Sequence, residues 1–94
     1  MTPRFRVLTS PAFERQLRVL AKGNSQIPSA YAEILTILGD DPYNRSRRYN
    51  IKKLAQVNPE DGQWRIRWRD YRLRYDILGG EVMLHSFRHR KESY

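Results

Sequence analysis

The chain has no cysteine. No disulfide framework can form, so the fold must rest on packing alone, and the expected address is a reducing one, the cytoplasm. Histidine is scarce as well. His85 and His89 are the only two, and they do not make an HxxxH pair. The one pair of adjacent carboxylates, Asp40-Asp41, precedes Pro42 and reads as a helix-ending turn. Neither a metal site nor a cofactor is therefore expected, and no local pattern supports a Ser-His-Asp arrangement. Long apolar runs are missing too. Nothing approaches the roughly 20 residues needed to span a bilayer. The opening MTPRFRVLTS is charged where a secretory signal needs an unbroken apolar stretch. Neither secretion nor a membrane is expected. Acidic residues are in the minority, 10 Asp+Glu against 18 Lys+Arg, for a net charge of +8. Such a surface attracts polyanions, so a nucleic acid or an acidic protein is the expected partner. On charge alone, a soluble basic domain without such a partner is the plain alternative.

What is present fits one domain, residues 1–94, with a modest core. Phe5, Val7 and Thr9 alternate with Arg4, Arg6 and Leu8 and predict a short first strand. Ser10 is placed to cap a helix that has Pro11 at its first position. Phe13, Leu17, Leu20 and Ala21 give that helix one apolar stripe, and Gly23 ends it. A second helix starts near Ile27-Pro28, carries Ile27, Tyr31, Ile34, Leu35 and Leu38 on one side, and stops at Gly39 and Asp40-Asp41-Pro42. Residues 40–62 are rich in turn formers and read as irregular, with Leu54 as an anchor to the core.

From Trp64 the period changes to two. Trp64, Ile66 and Trp68 alternate with arginines, as do Tyr71, Leu73, Tyr75 and Ile77 with Arg72, Arg74 and Asp76. Gly79-Gly80 signals a hairpin turn, and Glu81 to Phe87 reads as the last strand. The expected fold is α+β, with an N-terminal strand and a helix hairpin packed on one face of a mostly antiparallel four-stranded sheet.

The register of the central hairpin can be argued from these residues. If the tryptophans share one core with Tyr71, Leu73 and Tyr75, then Arg69-Asp70 is the turn and Trp68 pairs with Tyr71. Arg67 then lies across from Arg72, and Arg65 across from Arg74. Opposed side chains have Cβ atoms about 4.5–5.5 Å apart, where like charges destabilise. Folding alone gives no reason for that placement, whereas an anion between the guanidiniums does. Screened, splayed side chains on an open face are the bland alternative.

RNA can be cut without a metal, because its own 2′-hydroxyl attacks the neighbouring phosphorus. The protein then positions the backbone, moves two protons and neutralises the phosphorane. Arginine suits the last task but is a poor proton donor. That leaves His89 and Tyr94 as candidates for proton transfer.

The phrases DYRLRYDI (residues 70–77) and HRKESY (residues 89–94), with Trp64-Arg65-Ile66-Arg67 before them, resemble the C-terminal half of RelE/ParE-superfamily toxins. The resemblance extends over the chain in layout, with motif support in about its last third. It implies a toxin of a type II toxin–antitoxin pair, silenced by a small antitoxin, which charge complementarity predicts to be acidic. RelE-type members cut mRNA in the ribosomal A site. Carried over position by position, their catalytic residues correspond to Arg65, Arg67, Arg72, Arg90 and Tyr94. Lys52, Lys53 and Arg74 join them as expected RNA-binding residues. Strand positions that are often lysine in RelE itself are arginine in this chain. ParE-type members share the fold but target DNA gyrase, and a gyrase-inhibiting toxin is the alternative. A non-catalytic basic nucleic-acid-binding module is a third.

Overall fold

The structure is a computed structural model and describes residues 4–92. Its elements are β1 (Arg6–Leu8), α1 (Pro11–Ala21), α2 (Gln26–Asp40), β2 (Ile51–Lys53), β3 (Trp64–Trp68), β4 (Tyr71–Leu78) and β5 (Glu81–His89). They form an α+β fold around one mixed sheet of order β1-β5-β4-β3-β2. The sheet has five strands rather than the expected four. The additional one, β2, lies in the stretch read as irregular and pairs antiparallel with β3. At three residues it is too short for a period-two pattern to show. β1 pairs parallel to β5, and the remaining pairings are antiparallel.

Local chemistry accounts for the helix ends. Ser10 is extended (φ −119°) and its Oγ accepts the Phe13 amide at 3.1 Å, with Pro11 at the first helical turn. Between the helices, Gly23 takes a left-handed φ of +76°. Asn24 Oδ1 then accepts the Gln26 amide and caps α2 from one residue further out than Ser25. Gly39 does not end α2 but lies buried inside it, and its carbonyl accepts the Phe5 amide at 2.9 Å.

Both helices cover one face of the sheet. Phe13, Ile27, Ile34 and Leu38 meet Ile66, Leu73, Tyr75, Val82, Leu84 and Phe87 in a closed core. Polar ties fix the layers. Trp68 Nε1 donates to Glu33 at 3.2 Å, and the Phe87 amide donates to Gln16 Oε1 at 2.8 Å. Tyr75 is fully buried, and its hydroxyl donates to the Pro42 carbonyl at 2.7 Å. Burial holds that phenol well above its ordinary pKa, so it stays a donor. Tyr75→Phe leaves the carbonyl without this donor and is expected to cost about 1–3 kcal/mol, read as a lowered urea midpoint at an unchanged slope.

Tyr31 on α2 gives a second check. Burial first, then the nearby Glu14 carboxylate, pushes its pKa from 10.0 to about 12. The folded state therefore holds the phenolic proton more tightly than the unfolded chain does. The resulting stabilisation is complete below pH 10 and is lost as pH rises through about 12. Tyr31→Phe has no such proton to lose, so its unfolding midpoint should fall less than the parent's between these pH values.

Candidate functional site

The other face of the sheet carries the charge. The pairing is the one the alternation predicts, with Trp68 opposite Tyr71, Arg67 opposite Arg72 and Arg65 opposite Arg74. The turn between them places Arg69 at φ +52°. Two cross-strand rows carry the basic residues. One runs Lys52, Arg65, Arg74, Ser86 over β2, β3, β4 and β5. The other runs Arg67, Arg72, Arg88. Arg88 extends the cluster to β5, where no sequence argument had placed a member.

A β-bulge shapes the rest. Arg74 pairs with Ser86, but Tyr75 pairs with Leu84, so His85 is an extra residue in β5. Leu84 and Phe87 both point into the core. The three-residue step between them turns His85 and Ser86, two consecutive side chains, to the arginine face. The sequence contained the signal. The inward spacing slips from two (Val82 to Leu84) to three (Leu84 to Phe87), which strict alternation cannot accommodate.

The segment between β2 and β3 folds over this face. Arg65, Arg72, Arg74, His85, Ser86 and Arg88, with Leu54, Glu60 and Asp61 from that segment, line a cavity of about 400 Å³. Leu54 thus belongs to the cavity wall and not to the core. Gly62 closes the segment. It is buried at φ +92°, and its carbonyl accepts both Nε (3.2 Å) and Nη2 of Arg74. Gln63 follows with its amide on Asp76 Oδ1 at 2.8 Å. The second oxygen, Oδ2, lies 3.0 Å from His85 Nε2. In the cavity wall, Arg65 Nε and Arg72 Nε and Nη1 are shielded from solvent by the surrounding protein. Guanidinium groups in such a low-dielectric setting attract an anion more strongly than they would in open water.

Of the residues expected to act together, Arg65, Arg72 and Arg74 line the cavity. Arg67 and Lys52 stand exposed beside it on the same face. Others lie elsewhere. Lys53 pairs with Trp64, so it sits on the helix side, its Nζ 5.9 Å from the Trp64 ring centroid. Neighbouring residues of a strand face opposite ways, so Lys52 and Lys53 cannot share one surface. His89 pairs with Tyr71 on the core side, ring edge to ring face at 5.2 Å. Arg90 follows β5 and bonds the β3–β4 turn, its amide to the Asp70 carbonyl at 2.7 Å and its Nε 3.7 Å from Asp70 Oδ1. Tyr94 lies outside the described residues.

Among the described residues, no group of three or more His, Cys, Asp or Glu is arranged to hold a metal ion. No helix among them is long and apolar enough to cross a membrane. The chain matches no family model, no curated protein and no solved structure.

Proposed function

We propose that this chain is a metal-independent endoribonuclease of the RelE kind, a toxin that cuts mRNA on the ribosome and is restrained by an acidic antitoxin. The observation that carries the reading is the cavity of about 400 Å³ walled by Arg65, Arg72, Arg74 and Arg88. Its volume falls in the roughly 300–1,000 Å³ range of small-ligand sites, suited to one nucleotide and its phosphate. Cross-strand pairing brings these guanidiniums together, an arrangement that suits an anionic ligand.

On this reading the 2′-oxygen attacks phosphorus, and charge builds on the non-bridging oxygens. Arg72 and Arg88 share one cross-strand pair and receive that charge. Arg74, held by the Gly62 carbonyl, and Arg65 grip the flanking backbone. Lys52 and Arg67 extend the positive face along the strand of RNA. The resemblance to RelE/ParE toxins supplies the ribosome and antitoxin; the cavity supplies the chemistry. Primer extension on cellular mRNA after brief induction tests this. New 5′ ends inside translated regions are expected. Intact mRNA together with double-strand DNA breaks would instead favour a gyrase-directed toxin.

A further inference from the structure

We infer that His85 is the general base of the cleavage reaction and that Asp76 positions it; this rests on the endoribonuclease reading above. His85 was the less favoured of the two histidines on sequence. The β-bulge brings it into the cavity that holds Arg65, Arg72, Arg74 and Arg88, while His89 is turned to the core side.

Two contacts fix the ring. Asp76 Oδ2 takes one nitrogen, Nε2, at 3.0 Å, and Asp76 is itself held by the Gln63 amide on Oδ1 at 2.8 Å. On the ring edge, Cδ2 packs beneath Gly62, only 3.2 Å from where a Cβ on that glycine would stand. Nδ1 is then the ring nitrogen that Asp76 does not hold, on a residue that lines the cavity. A carboxylate on one nitrogen sets the tautomer, leaving the other nitrogen as the basic one. The arginines nearby suit the task of holding phosphate but not that of accepting a proton, since they are always charged.

The step balances without any co-reactant. Nδ1 of His85 takes the proton of the 2′-hydroxyl as the O2′–P bond forms. The P–O5′ bond breaks and its electron pair leaves with the 5′-oxygen, which takes a proton from water. The products are a 2′,3′-cyclic phosphate and a 5′-hydroxyl. The charged and titratable groups around His85 and its cavity are Asp76, Arg72 and Arg74 of β4, Arg65 of β3, Arg88 of β5, and Glu60 and Asp61 of the covering segment.

The test is single-turnover cleavage of mRNA on programmed ribosomes across a range of pH, for the parent, His85→Gln, Asp76→Asn and Arg72→Ala. His85→Gln should lower the rate by about 10²-fold or more, the usual worth of a positioned base, and abolish the acid limb of the pH profile. Asp76→Asn should give a smaller loss and displace that limb. Arg72→Ala should be slow with the limb unmoved. An mRNA with a bridging 5′-sulfur at the cut site has a leaving group that needs no proton. His85→Gln should remain slow on it by the same factor; recovery there would make His85 an acid and overturn the assignment. Retention of both rate and acid limb in His85→Gln would also overturn it, leaving the endoribonuclease reading intact. A parent protein that cuts nothing in this assay would sink that reading and the base assignment together. Melting curves of each variant separate a lost fold from a lost proton acceptor.

Discussion

Arg72→Ala should abolish growth arrest on induction and lower the cleavage rate by about 10²–10³-fold, the scale of removing one donor to a developing oxyanion. Stability should hardly change. Arg72 faces Arg67 on one side and Arg88 on the other, so its charge is flanked by like charges in the cross-strand rows. Removing a cation from such a row relieves repulsion while deleting the side chain's own contacts, so the unfolding free energy should stay within about 1 kcal/mol of the parent's. This pairing of effects is diagnostic. A residue kept for folding loses stability when truncated, whereas a residue kept for an anion loses activity alone. Arg88→Ala should behave in the same way. A double variant should lose less than the sum of the two, because on the proposed mechanism both guanidiniums serve one phosphorane.

Gly62→Ala should have the second large effect, of the opposite type. At φ +92° a side chain is strained, on the order of 1–3 kcal/mol. The new Cβ would also stand 3.0 Å from the Tyr75 amide nitrogen and 3.3 Å from the Arg74 carbonyl carbon, backbone atoms of a central strand that cannot yield cheaply. Overpacking of this kind adds about 1–3 kcal/mol. The covering segment must lift or the strand must bend. Either movement takes the Gly62 carbonyl from Arg74 and unseats His85 beneath it. A fall of about 10 °C or more in Tm is expected together with lost cleavage, and hydrogen exchange should quicken in residues 54–63 more than in α1 or α2. Loss of activity with the exchange pattern unchanged would show that Gly62 does not hold the segment in place.

The central hairpin was legible because its two faces differ so sharply. Tryptophan and arginine alternate on β3, tyrosine and arginine on β4, and only one register keeps the aromatics together. Ser10 and Pro11 announced the start of α1 for equally local reasons. Other features depend on long-range geometry. β2 is defined by pairing with β3 and not by any pattern of its own, so the separation of Lys52 from Lys53 stayed hidden until that pairing was known. Arg88 lay on a strand whose alternation is interrupted, and its face cannot be assigned without locating the bulge. The same interruption exchanges the two histidines. Strict alternation from either end of β5 gives contradictory faces for His85 and His89, and the buried Leu84 and Phe87 resolve the conflict. Gly62 read simply as a turn former, since its close approach to Tyr75 and His85 involves residues more than ten positions away.

The chemistry of the cut ends tests the central claim most directly. mRNA bound to ribosomes, incubated with the purified protein and separated from it, should carry 2′,3′-cyclic phosphate on the upstream fragment and a 5′-hydroxyl on the downstream one. Arg72→Ala protein should leave the message whole. Fragments ending in 3′-hydroxyl and 5′-phosphate would contradict attack by the RNA's own 2′-oxygen. Cleavage undiminished in Arg72→Ala would contradict the role of the arginine face.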